Sequence, residues 1–471
     1  MSSGVTGKGK TKISRFEKLD VGDTASRASS VVFFVLCLIP ILATALYGGV
    51  DTGTWVLISI LAGVLALAWI ADAWLGKGFP VYRSVLLLPT AGMFIIGVIQ
   101  LVPVFSGGLP NDLLAVQYDQ PISMDPYSTR FFVIRLVVYF VFFAAALTYV
   151  NTERRLKRLT TIVISLGAIT AFFGILQFLA KPDAIYGLRE TPGAIPFGPF
   201  VNQHHFAAFT ELGFGLAVGL IAGRGVKRDK VVLLAVAALM MIVAALLTGS
   251  RGGLLSYVGI AGFILVAVAR LEARRGNSVG GRRPVRIAAL AGAAIATIIL
   301  IVGVVLFVGG DSSLTRVATA SGTPGDVSSG RIHFWTTALK IFMDHPILGA
   351  GYDAFGVAFT RYDTWNGVFR IEQAHNDYLQ TLADAGIAGF VCVAAFIFWL
   401  FKKGFGVIAE ATDLFRSSSS VGALAGCFGI LIHSFFDFPL RTPVNAFLFL
   451  ILAAIATVTI KTSNGRGSDP R

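Results

Sequence analysis

Runs of about twenty apolar residues recur along this chain, the length an α-helix needs to cross the hydrocarbon core of a bilayer. They fall at 31–48, 55–75, 85–105, 130–150, 159–179, 204–223, 231–248, 253–270, 287–308, 386–401, 421–437 and 443–460. Such a pattern predicts an all-α polytopic membrane protein of about 12 transmembrane helices. Only 14% of the 471 residues are charged and 55% are hydrophobic, where a soluble chain carries roughly 25% charged residues. The charges that remain stand mostly between the apolar blocks.

Those charges alternate from loop to loop. Lysine and arginine crowd the N-terminal segment (Lys8 to Lys18), the pair Lys77 and Arg83, "NTERRLKR" (151–158), "RGVKRDK" (224–230), the stretch 270–286, Lys402 with Lys403, and the tail. The intervening loops, "YGGVDTGT" (47–54) and "SGGLPNDLLAVQYDQPISMDPYST" (106–129) among them, hold almost none. Under the positive-inside rule the basic loops and both termini are cytoplasmic. The net charge of +13 is therefore topology, and no nucleic-acid partner is expected. The division that follows is a basic cytoplasmic segment (1–30), a single membrane domain (31–460) and a cytoplasmic tail (461–471). The run ending in "ATA" (43–45) has the look of a signal peptide, but an uncleaved first span is the preferred reading. Cys37, Cys392 and Cys427 lie in apolar blocks and are odd in number, so no disulfide framework is implied.

One connection is long. Residues 309–385 are polar, contain no spanning block and fall on the extracytoplasmic side, and a loop of that length in a compact domain points to function. Within it, "SSGRIHFWTTALKIFMDHP" reads as a helix capped by Ser328 or Ser329 and ended by Pro346. Ile332, Trp335, Leu339 and Phe342 would form its apolar stripe, lying on the bilayer surface or the bundle top. Gly349 and Gly351 permit a tight turn. "QAHNDYLQTLADAGIAG" (373–389) then starts a second helix that meets the next span around Gly386 and Gly389.

The cations of the poor loops are conspicuous because so few stand there. Arg251, in the short turn "TGSRGG" (248–253), is held at the outer edge of the bilayer, and Gly252 and Gly253 beside it allow close approach. An arginine at a span end can simply snorkel to lipid phosphate. Its planar fork also suits a phosphate or pyrophosphate group, and several arginines on one side fit a lipid-linked one. His375 is the candidate proton acceptor, since imidazole titrates near neutrality. Asn376 and Asp377 either orient its ring or cap the helix. His204 and His205 sit at a loop-to-span boundary, and His433 with Asp437, four apart, reads as a structural pair on one helix face. The chain has no HExxH, no Cys/His ligand set and no Walker glycine loop, so no metal and no cofactor are expected.

"TGSRGGLLSY" (248–257), "HPILGAGYDAF" (345–355) after a "GR" and a tryptophan, and "AHNDYLQTLADAGIAGF" (374–390) follow in this order, separated by spans. Together they resemble the O-antigen ligase and polymerase superfamily. "GPFVNQHHFAAF" (198–209) is similar to that family's "GxFxNxNHxA" segment, with His204 in place of the second asparagine and Asn202 and His205 retained; "HSFFDFPLRTPVNAFLF" (433–449) resembles its terminal spans. The resemblance covers roughly residues 160 to 460. It implies a C-type membrane glycosyltransferase in the bacterial inner membrane, with its active site facing the periplasm. The implied partners are an undecaprenyl-pyrophosphate-linked glycan donor, a carbohydrate acceptor (lipid A core or growing polysaccharide) and membrane lipids. On motif match, Arg251 engages the donor pyrophosphate, with Arg331 and Arg189 as further phosphate ligands, and His375 activates the acceptor hydroxyl; Asn202, His205, Asn376 and Asp377 support them. The alternatives are a small-anion transporter, for which charges inside broken spans would be expected, and a non-catalytic partner of a polysaccharide assembly machine.

Overall fold

The computed structural model describes residues 26–76, 78–107, 118–191, 194–274, 292, 330–365 and 371–460. Thirteen α-helices lie among them: α1 (Arg27–Ala45), α2 (Thr52–Leu75), α3 (Leu87–Gln100), α4 (Pro126–Tyr149), α5 (Glu153–Ala180), α6 (Gln203–Ala222), α7 (Arg228–Leu247), α8 (Arg251–Arg274), α9 (Arg331–Asp344), α10 (Phe355–Tyr362), α11 (Asp377–Glu410), α12 (Leu414–His433) and α13 (Pro443–Thr457). Nine of these are long and apolar enough to cross a membrane, and α3 and α13 are shorter apolar helices. Eleven of the twelve apolar blocks thus become helices. The block at 287–308 apart from residue 292, Lys77, Arg316, Arg370, Ser328, Ser329, and the terminal segments 1–25 and 461–471 lie outside the described residues. The third block is shorter as helix than as sequence because the chain leaves α3 at Gln100 and enters a small antiparallel hairpin, β1 (Pro103–Gly107) with β2 (Tyr118–Pro121).

Polar side chains start the helices where their first amides lack partners. Ser26 accepts from the Ser29 amide, Asp125 from Ser128, Thr152 from Arg155, Asn202 from His204 and Asp413 from Arg416. Inside α1, Pro40 interrupts the ladder, and the Thr44 hydroxyl donates to the Pro40 carbonyl at 2.7 Å. A hydroxyl within an apolar span is satisfied in this way by its own helix.

At the centre, α6 and α12 are packed through glycine. A Cβ added at Gly219 would lie 2.3 Å from the Cα of Gly422, and one at Gly215 would lie 2.6 Å from the amide of Gly426. Small residues let the two backbones approach closely, which is how helices associate when the surrounding lipid is as apolar as their side chains. Consequently α6 and α12 are the most enclosed of the nine long spans, at 89% and 78% buried. The last helix, α13, is buried along its whole length.

Succession of the helices puts the connections 46–51, 101–107 with 118–125, 181–191 with 194–202, 248–250 and 434–442 at one end of the bundle, together with α9 and α10. Arg83, Arg154, Arg155, Lys157, Arg158, Arg224, Lys227, Arg228, Lys230, Lys402 and Lys403 stand at the other. The first helical part of α11 also belongs to the former end, because the helix breaks at Gly386 (φ 61°, ψ −161°). The loop after α9 completes the backbone there: Ala350 donates to the Ala383 carbonyl at 2.8 Å, Gly351 to Asp384 at 3.0 Å, and Ile387 to Pro346 at 2.8 Å. Gly349 has φ 72° and a Cβ there would meet the Ala385 amide at 2.3 Å, so glycine is required by conformation and by space.

The structure divides the expected apolar stripe of α9: Ile332 and Leu339 are exposed, open to the bilayer-surface placement, and Trp335 packs against the protein. The buried face of the helix carries Phe334, Ala338 and Ile341, whereas Ile332, Leu339 and Met343 face outward. Both sides of the helix are apolar in sequence, so periodicity alone did not tell the protein-facing side from the other. The helix follows Gly330 in left-handed conformation (φ 79°) and ends before Pro346, as its sequence requires.

Candidate functional site

The site is built where the start of α11, the end of α12 and the starts of α6 and α8 converge. Asn376 caps α11, accepting from the amides of Tyr378 (3.0 Å) and Leu379 (3.1 Å), and its amide donates to the Phe435 carbonyl at 3.1 Å. The Asp377 amide donates to the Ser434 carbonyl at 2.9 Å, and the Ser434 hydroxyl returns a bond to Asp377 Oδ2 at 2.9 Å. Tyr378 adds a bond from its hydroxyl to the Leu431 carbonyl at 2.7 Å. Residues 376–378 are therefore laced to 431–435. Of the two roles open to Asn376 and Asp377, capping and anchoring is the one they fill.

This lacing leaves His375 at the edge with φ 50°, a left-handed conformation costing a non-glycine residue roughly 1–2 kcal/mol. Such strain is found where surrounding contacts over-determine a residue. The contacts here are Asp437, whose Oδ1 accepts from His375 Nδ1 at 3.1 Å, Phe334 stacked on the imidazole at 5.9 Å, and Phe438 edge-on at 4.9 Å. The ring is one-third exposed while the Asp437 side chain is 3% exposed. With Nδ1 committed to a carboxylate, Nε2 is the nitrogen with a free lone pair.

Burial by itself would raise the Asp437 carboxyl; the hydrogen bond from His375 and the nearby His205, His375 and His204 outweigh it, so its pKa lies below the usual carboxylate range. The i,i+4 pair expected between His433 and Asp437 is not made by their side chains. Asp437 serves His375, and His433 Nδ1 pairs with Glu211 Oε1 of α6 at 2.8 Å, both fully buried. His433 Nε2 lies 3.4 Å from Ser250 Oγ, and a Cβ on Gly252 would meet the same imidazole at 2.9 Å. The turn carrying Arg251 thus rests on His433, one helical turn before Asp437. Arg251 itself is exposed at the first position of α8.

The other expected residues gather around this centre. His205 Nδ1 bonds Thr442 Oγ1 at 2.7 Å, its ring lies edge-on to Phe438 at 4.8 Å, and its Nε2 is buried without a partner, as is Asp437 Oδ2. Asn202 fixes the start of α6 through the His204 amide (2.8 Å). Arg331, at the start of α9, lies within electrostatic reach of His204. Arg189 stands further out: it is paired with Asp51 and lies 4.7 Å over the Tyr47 ring, in the loop where Gly48 packs on Thr442. Behind the site, Arg441 binds Asp384 and Asp353 (2.8 Å to the latter), tying the α11 break to the loop after α9.

Below Arg251, an apolar groove of about 350 Å³ runs between α8, α11 and α12, lined by Phe263, Ile397, Phe401, Phe428, Ile432 and Phe435. Its last residue, Phe435, is the one whose carbonyl Asn376 holds. Among the described residues, no group of three His, Cys, Asp or Glu is arranged to hold a metal.

A family model described as O-antigen ligase matches residues 236–394. This stretch, about a third of the chain, is thus similar to the O-antigen ligase family. With nine helices long and apolar enough to cross a membrane among the described residues, the match supports a multi-pass membrane protein with an O-antigen ligase-type role in polysaccharide assembly. Arg251, Arg331, His375, Asn376 and Asp377 lie inside the matched O-antigen ligase region; Asn202, His205, Glu211 and Asp437 lie outside it and are delivered by packing. No match was found among curated proteins. One residue and one pairing of the site were missed in sequence. Glu211, an acid within an apolar block, was a readable signal; the pairing of Asp437 with His375, 62 residues away, was not.

Proposed function

We propose that the chain transfers a glycan from an undecaprenyl-pyrophosphate donor to a sugar hydroxyl, with His375 as general base and Arg251 as the principal ligand of the leaving pyrophosphate. The observation that carries this reading is the His375–Asp437 pair: a one-third-exposed imidazole oriented by a buried carboxylate, with the Arg251 turn seated on the same 433–437 segment. The acceptor hydroxyl gives its proton to His375 Nε2 as its oxygen attacks the anomeric carbon. The bond from that carbon to the phosphate oxygen breaks, and the electron pair leaves on the lipid pyrophosphate. Asp437 stabilises the imidazolium that forms, and Arg251 and Arg331 neutralise charge gathering on the leaving group. One displacement of this kind inverts the anomeric centre; retention in the product would refute it.

The apolar groove beneath Arg251 suits the donor's polyprenyl chain, placing its pyrophosphate at the start of α8. Arg189, already paired with Asp51, is a ligand at the rim. The site faces the periplasm and both termini are cytoplasmic in this reading, which the clustering of cations at the opposite bundle end supports. The test is glycan analysis of a deletion strain complemented with wild type, Arg251→Ala or His375→Ala, each verified in the membrane. Accumulation of lipid-linked glycan in both variants is expected. Its chain length separates the two forms of the reaction: unextended repeats mark a polymerase, and long unattached chains mark a ligase. Full complementation by both would refute the enzymatic reading in favour of a carrier or assembly partner.

A further inference from the structure

A tryptophan outside the catalytic cluster is held as a platform. Trp365 is 48% exposed, which is unusual for a side chain with so many ordered neighbours. One face of its indole stacks on His333 at 4.3 Å with the rings 9° from parallel. His333 Nε2 is bonded to Asp363 Oδ1 at 2.8 Å, and the same oxygen accepts from the Trp365 amide at 2.9 Å. One carboxylate therefore fixes both the ring below and the backbone of the ring above. The Trp365 amide first, and His333 second, hold the Asp363 pKa below the ordinary range. Gly330 makes room as well: a Cβ there would lie 2.9 Å from Trp365 Cη2.

The platform is joined to the reaction centre by a single ring. Phe334 meets Trp365 edge-on at 5.7 Å and stacks on His375 at 5.9 Å. An exposed aromatic near a bilayer can also be an interfacial anchor. On α9, however, the outward apolar residues Ile332, Leu339 and Met343 lie about a quarter turn from His333 at 100° per residue, and it is His333 on which the indole sits. The indole is thereby held on the side of the helix that leads to His375.

Resting on the transferase reading above, we propose that Trp365 is a stacking platform for a sugar ring of the acceptor glycan, one or two residues removed from the hydroxyl that His375 deprotonates. The C–H face of a pyranose is apolar and flat enough to lie on an indole, and a pre-ordered ring binds it with little loss of conformational entropy.

Two measurements test this on the full-length protein in liposomes. The first uses undecaprenyl-pyrophosphate-linked glycan from a strain lacking the chain as donor, and core and repeat-unit oligosaccharides released from its envelope as acceptors. Trp365→Ala should raise the acceptor KM about tenfold, the effect of losing one aromatic stack, with donor KM unchanged, and Trp365→Phe should recover part of it. Unchanged acceptor KM, or equal loss toward donor and acceptor, would overturn the proposal. The second is saturation-transfer NMR of the same oligosaccharides on His375→Ala protein, where no transfer interferes. Signal lost on adding Trp365→Ala supports the platform, and signal retained refutes it. Trp365-dependent binding without transfer by the wild type would refute the transferase reading while leaving the platform standing.

Discussion

Replacing Asp437 with asparagine keeps the shape of the side chain and removes its charge, so it isolates what the carboxylate does for His375. Asp437 Oδ1 accepts from His375 Nδ1 at 3.1 Å and from the Phe438 amide at 3.0 Å. A hydrogen bond to a charged group contributes about 1.5–3 kcal/mol, and the neutral version about half of that. If the asparagine oxygen faces the ring, the imidazolium formed in the transition state loses roughly 1–1.5 kcal/mol of stabilisation, about a tenfold fall in kcat. If the amide nitrogen faces it instead, the proton moves to Nε2 and the base is lost, so the fall is larger. The carboxylate also sets a pH expectation. Because the folded pKa of Asp437 is depressed, its stabilisation is present above the unfolded value of about 3.9 and is lost only as pH falls through the lower folded value. From about pH 5 to 8 the carboxylate is ionised throughout, so the acidic limb of the wild-type rate profile reports another group. Initial rates of glycan transfer in proteoliposomes, with protein level and melting temperature measured alongside, decide the matter. A kcat within about twofold of wild type would refute the orienting role of Asp437 and the reasoning from it.

Three more expectations rest on the same geometry. Arg251→Lys should lose most donor turnover, because an ammonium supplies a point charge where the guanidinium supplies a paired fork; normal glycan assembly in that variant would contradict direct phosphate binding. Glu211→Ala strands the buried His433 and should lower stability by about 1–3 kcal/mol, read as a reduced melting temperature in detergent, and should loosen the Arg251 turn so that donor KM rises; an unchanged melting temperature would refute the pairing. Arg441→Ala leaves the buried Asp384 without its cation and should cost about 3–5 kcal/mol, with Arg441→Lys intermediate; a thermal melt equal to wild type would show that the network behind the α11 break does not hold it.

How far the site was legible follows from which contacts are local. Arg251 and His375 were readable because each stands in a short polar motif beside a span, where a titratable group in an apolar chain is conspicuous. The capping role of Asn376 was readable for the same reason, as one of the two uses its position allows. The i,i+4 spacing of His433 and Asp437 misled, because spacing ranks local partners and both side chains found partners on distant segments. On α9 the sequence left bilayer surface and bundle top both open as seats for the stripe, because the helix is apolar on two sides and only the packed structure shows that Phe334, Ala338 and Ile341 face the protein.

The sequence by itself determined where eleven apolar helices run among the described residues, several of their starts and the separation of cations to alternate connections. These are constraints between a short segment and its solvent: hydrocarbon fixes how long a helix must be, and unsatisfied amides fix where it begins. Only the tertiary structure decided that a glycine seam between α6 and α12 brings Glu211 to His433, that the next turn of chain delivers Asp437 to His375, and that α9 sets Phe334 and Trp365 in line with that histidine. Those pairings join residues far apart in the chain, and their energies come from close packing and from buried polar groups finding one another, which no local pattern encodes.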